Sequence, residues 1–210
     1  MVRFVRSLIL IIGLLLPACT VHGETVDSLP APTGYVNDFA GVLSPDTKQS
    51  VAQLCTQVDR RAHAQIAVVT IKTIDPDKSG AVPSIEEFAV KLEEKWGVGT
   101  KGTDRGVLML LVMNPRRGRI EVGYGLEGIL NDAKVGDIGR AMSPYAQKND
   151  YDSAVRLGVS QLASVIAADA GVTMDAGNGA QQYHWQQTQQ PAHRPMSLVE
   201  VVVKIGRAHV

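Results

Sequence analysis

The residues best placed to do chemistry are three acids, Asp104, Glu127 and Asp132, in the stretch Lys101 to Asp132, KGTDRGVLMLLVMNPRRGRIEVGYGLEGILND. Two apolar strands flank a short turn there; Asp104 precedes the first strand, and Glu127 and Asp132 follow the second. If the strands pair antiparallel, the three carboxylates meet at one end of the sheet. Hard divalent cations take oxygens from carboxylates, backbone carbonyls and water, and glycine-rich loops let carbonyls approach, so this corner is a candidate site for a divalent cation. Asp38 joins the set if the segment that carries it crosses the same edge. A plainer reading makes Asp38 and Asp132 turn or capping acids and Asp104 a solvated loop residue. Spacing alone does not choose between the two.

Other motifs carry less. Gly123, Gly125 and Gly128 spell G-x-G-x-x-G, but the preceding strand is the returning arm of a hairpin and no βαβ unit follows. Ser143 and Pro144 stand where a ribose-binding acid belongs, and Glu127 inside the loop would repel a pyrophosphate, so no dinucleotide is expected. The Asp75 to Gly80 loop lacks the closing glutamate of an EF-hand and has Lys78 at a ligand position. His184 and His193 lack a second pair of metal ligands. Arg116, Arg117 and Arg119 crowd the hairpin turn and read as a solvated tip, at the far end from the acids.

The elements that position the acids follow from periodicity. Ser44-Pro45 starts a helix, with Ser44 as N-cap and proline in the first helical position, and Val51, Leu54, Cys55, Val58 and Ala62 form its buried stripe. Cys55 belongs to that stripe and is expected to be an inert buried thiol. Gln65 to Ile71 is rich in β-branched residues and reads as a central strand. Ser84 with Glu87 is a capping box, Ile85, Phe88, Ala89, Leu92 and Trp96 make the next buried stripe, and Gly97 ends that helix. The strand Val107 to Met113 completes a parallel strand, helix, strand crossover. Arg119 to Val122 returns antiparallel, and two helices, Ala133 to Ser143 and Tyr151 to Ala168, follow with Pro144 between them. The pattern predicts an α/β, three-layer sandwich: a small mixed sheet of about four strands with helices on both faces.

The chain has 210 residues with 21 basic and 21 acidic side chains, and 5% aromatics, so nothing points to nucleic acid as a partner. Residues 1–23 read as a signal peptide, with Arg3 and Arg6 before the apolar run Ser7 to Leu16. Two cleavage readings stay open: a lipobox at Leu16 to Cys19 that would leave Cys19 lipidated, or ordinary cleavage after Gly23. Residues 24–34 read as a linker, 35–170 as the domain, and 171–195 as a flexible Gln/Gly/Ala-rich linker. Residues 196–203 look like the start of a membrane helix cut short. Within 204–210, Ile205 to Val210 resembles a translated sequencing adapter, so the natural chain is expected to continue into the membrane.

Three motifs occur in order: YVNDFAGVLS at Tyr35 to Ser44; WGVG at Trp96 to Gly99 with KGTDRGVL at Lys101 to Leu108; and GYGLEG at Gly123 to Gly128 with Leu130-Asn131-Asp132. They resemble the TPM domain family, which includes bacterial envelope proteins and a thylakoid lumen protein of photosystem repair, over roughly Tyr35 to Ala168. The resemblance implies a compact α/β sandwich outside the cytoplasm and a calcium-type site carried by Asp38, Asp104, Glu127 and Asp132. It implies an exported, membrane-anchored protein at the periplasmic or extracytoplasmic face, acting as an envelope interaction or assembly module. A weak metal-dependent acid phosphatase is the alternative, since some members are described as such. One departure stands out: the family commonly has asparagine after the aspartate of the second motif, and here Arg105 follows Asp104. A cation there would weaken metal affinity or supply a phosphate contact.

Overall fold

Nearly every residue of the two central strands is apolar, which a strand tolerates only when both of its faces are covered. The computed structural model, which describes residues 24–99 and 102–174, shows how. Strands β1 (Val36–Asp38), β2 (Gln65–Ile71), β3 (Gly106–Val112) and β4 (Arg117–Val122) form one sheet in that order. β1 and β3 run parallel to β2, and β4 runs antiparallel to β3. Helices α1 (Pro45–Ala62), α2 (Ile85–Trp96), α3 (Asp132–Gln147) and α4 (Tyr151–Ala170) supply the outer layers.

Alternation along the strands sorts the core into two halves. Ile66, Val68, Val107, Met109, Leu111 and Ile120 face α1, α3 and α4, where Cys55, Val58, Ile138, Leu162 and Ile166 meet them. Ala67, Val69, Ile71, Leu108, Leu110 and Val112 face α2 through Ile85, Phe88, Ala89 and Leu92. The architecture is a three-layer α/β sandwich with a mixed four-stranded sheet. Burial pushes the Cys55 thiol up to about 12, so it stays protonated and packs as an apolar group.

The capping signals hold in detail. Ser44 accepts the Thr47 N–H, Ser84 and Glu87 form a reciprocal capping box, and Gly97 closes α2 in the left-handed conformation at φ 65°. Two stretches differ from their sequence expectation. α3 does not stop before Pro144 but runs through it to Gln147, its last turn held by Tyr145 and Ala146 against the core. Residues 24–34 are not a free tether: Leu29 is buried, and Lys95 donates to the carbonyls of Val26, Asp27 and Leu29. The second linker begins as part of the domain, since Val172 and Met174 pack against the core and Arg61 donates to the Thr173 carbonyl. The rest of it from residue 175, the expected signal peptide with Cys19, the membrane segment 196–203 and residues 204–210 lie outside the described residues. No described helix is long and apolar enough to cross a membrane.

Topology relocates Asp38. β1 runs parallel to β2 and ends at Asp38, opposite Thr70, whereas the Asp104 end of the sheet begins where Gln65 meets Gly106. Five residues of strand, roughly 16 Å, separate the two ends. The Asp38 carboxylate is instead a local staple: it accepts the N–H groups of Val42 (3.0 Å) and Leu43 (3.1 Å) and the Thr70 hydroxyl (2.5 Å). Its side chain is only 2% exposed, with Lys48 at 3.7 Å. Burial alone would raise its pKa, but the Thr70, Val42 and Leu43 hydrogen bonds and the Lys48 charge outweigh it and hold the group below its ordinary value. Asp38→Ala is expected to cost about 2 to 4 kcal/mol, because two buried backbone N–H groups lose their acceptor. A folded-state pKa below the unfolded one gives stability that is present above the ordinary value of 3.8 and lost as pH falls through the folded one. Urea melts between pH 2 and 7 should therefore show a shallower acid loss in Asp38→Ala than in the parent.

Candidate functional site

The acidic corner is built by backbone packed on backbone. The Gly123 N–H donates to the Gly106 carbonyl at 2.9 Å, and the Gly125 N–H to the Asp104 carbonyl at 3.1 Å. A methyl group on Gly123 would run into the Asp104 carbonyl, and one on Gly125 into the Thr103 carbonyl. These two glycines are required by close approach of two loops, whereas Gly128 faces open space. Asp104 itself takes a left-handed backbone at φ 45°, which aspartate tolerates better than most residues. A single 3₁₀ turn, Tyr124–Leu126, follows, and Leu126 and Leu130 anchor the loop in the core.

Of the expected site residues, Asp104 and Glu127 lie in the loops at this end of the sheet and Asp132 opens the helix that follows, and all three are exposed. Asp38 does not join them, for the reason of strand direction given above. Asn131, not Asp132, caps α3 by accepting the Lys134 N–H; Asp132 sits in the first turn, where the helix dipole favours negative charge. Arg105 is spoken for: its guanidinium pairs with Asp169 at 2.9 Å, near the C-terminal end of α4. That pair accounts for arginine at this position, with the helix terminus adding to the attraction.

Two further acids enter the corner from the α2 face. Glu121 of β4 pairs across the sheet with Leu108, which places it on the α2 side, and Glu93 lies one turn after the buried Ala89 on α2. Burial, then the negative charges of Glu121, Asp104 and Glu94, push the Glu93 carboxyl up to about 7. One of its oxygens, Oε1, is buried without a hydrogen-bond partner among the described residues. Glu121 is compensated by Arg119, whose guanidinium reaches it at 2.8 Å. Glu93 has no such counterion among the described residues. Sequence reasoning passed over both residues, although the i+4 step from Ala89 to Glu93 was the available signal. As they stand, no three acidic, histidine or cysteine side chains among the described residues group closely enough to enclose a metal ion.

A four-stranded mixed sheet sandwiched by helices, with a glycine-packed acidic corner, defines the class. The sequence matches the TPM domain over residues 36–165, and the chain belongs to that family. It is similar to the solution structure of an N-terminal domain of a protein from P. gingivalis, at 26% identity and TM-score 0.63, covering 74% of this chain and 99% of that one. It also shares its fold with the BA42 protein of Bizionia argentinensis, at 12% identity and TM-score 0.51, covering 60% and 82% of the two chains. No curated protein matches the sequence.

The glycine packing is directly testable. Gly125→Ala is expected to destabilise the domain by more than about 2 kcal/mol, because its methyl meets rigid backbone, while Gly128→Ala should stay within about 0.5 kcal/mol. Equal melting temperatures for the two variants would refute the packing account.

Proposed function

We propose that this TPM-domain protein is exported and membrane-anchored, binds a calcium-like divalent cation at the acidic corner, and serves as an interaction or assembly module in the cell envelope. The observation that supports the cation is Glu93: a half-buried carboxyl with an unpartnered oxygen, set among negative charges with no cation against it among the described residues. Carboxylate oxygens are the donors such an ion takes. Asp104 and Glu93 would hold it, with Glu121 beside them and Glu127 and Asp132 adding to the field from the neighbouring loops; Asp38 has no part. A bound cation would offset the burial and the repulsion that together raise the Glu93 carboxyl. An open arrangement of loop carboxylates suits weak binding, on the order of 10⁻⁴ to 10⁻³ M, as in extracellular calcium modules. The alternative, a weak metal-dependent phosphomonoesterase, draws no support from Arg105, which Asp169 already holds.

The raised pKa sets the sign of the pH dependence. A carboxyl raised from 4.5 to about 7 contributes stability below its unfolded value that is lost as pH rises through the folded one. Without metal, Glu93→Gln should equal the parent near pH 4 and exceed it at pH 8, by about 1 kcal/mol after allowance for partial solvation. With calcium or magnesium in the millimolar range, the melting temperature of the parent should rise at pH 8 and much less at pH 5, where Glu93 is protonated. Glu93→Gln and Asp104→Asn should lose that gain. A melting temperature indifferent to both metals at pH 8 would sink the cation reading; metal-dependent phosphate release that disappears in Asp104→Ala would favour the enzyme.

A further inference from the structure

At the other end of the hairpin, β4 and α3 stand apart and leave a cleft of about 470 Å³, within the size range of ligand-binding clefts. Its floor is Met109, Leu111, Ile120 and Met142, and α3 contributes no bulk at Gly136, Gly139 and Ala146. It shares no residue with the acidic corner. We propose that this cleft receives the C-terminal end of an extended peptide bearing an apolar last residue and a free carboxylate.

Three observations carry the assignment. The first is main-chain hydrogen bonding. β4 is an edge strand, and no described strand pairs with its outer side. The Gly123 to Gly106 hydrogen bond fixes the alternation along the β3–β4 ladder, so Arg117, Arg119 and Glu121 turn their backbone groups to β3. Gly118 and Ile120 turn theirs outward, where an added strand would find them. The consecutive residues Arg117 to Ile120 all line the cleft, as a strand edge does.

The second is apolar fit. Side chains of an added strand alternate, so every other one would enter the space between β4 and α3. The two methionines of the floor adjust to aliphatic groups of different shape.

The third is charge. At the hairpin end, the Arg116 guanidinium donates to the Gln147 carbonyl at 3.4 Å, spanning from the turn to the end of α3. Arg116 thereby stands over the hairpin end of the cleft, where the end of an incoming chain would meet its charge. A chain antiparallel to β4 arrives with its carboxylate, which arginine attracts; a parallel chain would arrive with its ammonium, which arginine repels. Arg117 stands opposite Val112, so its side chain turns to the α2 face, where its charge reaches Glu86, and Arg116 is the cation at this end of the cleft. Arg119 is held by Glu121.

The test uses the full chain and a fluorescein-labelled hexapeptide, Ser-Thr-Val-Val-Leu-Val, as free acid and as C-terminal amide, read by fluorescence anisotropy. The free acid should bind, and the amide about tenfold or more weaker, the effect of removing one charge-assisted hydrogen bond. Arg116→Ala should bring the free acid down to the level of the amide. Gly139→Leu places a side chain where nothing lies within 4 Å, so it should abolish binding while the melting temperature is kept. Amide resonances of Gly118 and Ile120 should shift on titration. Equal binding of acid and amide, unchanged binding by Gly139→Leu, or shifts confined to other elements would overturn the proposal. So would failure of the free acid to bind. Concentration-dependent dimerisation abolished by Gly139→Leu would assign the cleft to a second copy instead, and decanoate binding with the peptide silent would assign it to an amphiphile.

Discussion

Close contact of backbone with backbone at the sheet end is the constraint on which the site depends. Thr103 and Asp104 lie so near Gly123 and Gly125 that no side chain fits between them. The contact joins the loop entering β3 to the loop leaving β4, and the Gly125 to Asp104 hydrogen bond locks it. Asp104 is held beside the sheet rather than free in a long loop, and the chain is aimed from β4 through Leu126 and Leu130 into α3. A G-x-G pattern after a strand commonly means that a phosphate approaches the backbone. In this chain another loop approaches it instead.

Charge around that contact is unevenly matched. Arg105 meets Asp169 and Arg119 meets Glu121. Glu93 is half-buried with no cation against it among the described residues, and its carboxyl rises because burial and three neighbouring acids act in the same direction. Asp38 is also desolvated by burial yet moves the other way, since a hydroxyl, two backbone N–H groups and a lysine favour its ionised form. The two residues show that burial does not set the sign of a shift by itself. The donors that face the group decide it.

Much of the fold was legible in the chain. β2 was bounded correctly by its β-branched run, α2 by its two caps and the start of α1 by its N-cap, because propensity, capping chemistry and hydrophobic period agree there. The antiparallel hairpin and the placement of Asp104, Glu127 and Asp132 at one sheet end were legible too, since a short turn allows only one direction of return. Pro144 misled, because a helix-breaking signal is local and the packing of Tyr145 and Ala146 that overrides it is not. The docking of residues 24–34 was invisible for the same reason: Lys95, which ties it down, lies 66 to 69 residues further along.

The amino-acid sequence by itself determined the element types, the three-layer sandwich, the family and the hairpin that gathers three acids. These are properties of short windows and of motif order. Only the tertiary structure decided that Asp38 sits at the opposite end, that Arg105 belongs to Asp169, and that Glu93 and Glu121 face the corner. Each of these depends on the direction in which a distant strand or helix crosses the sheet, and a sequence window carries no record of that direction.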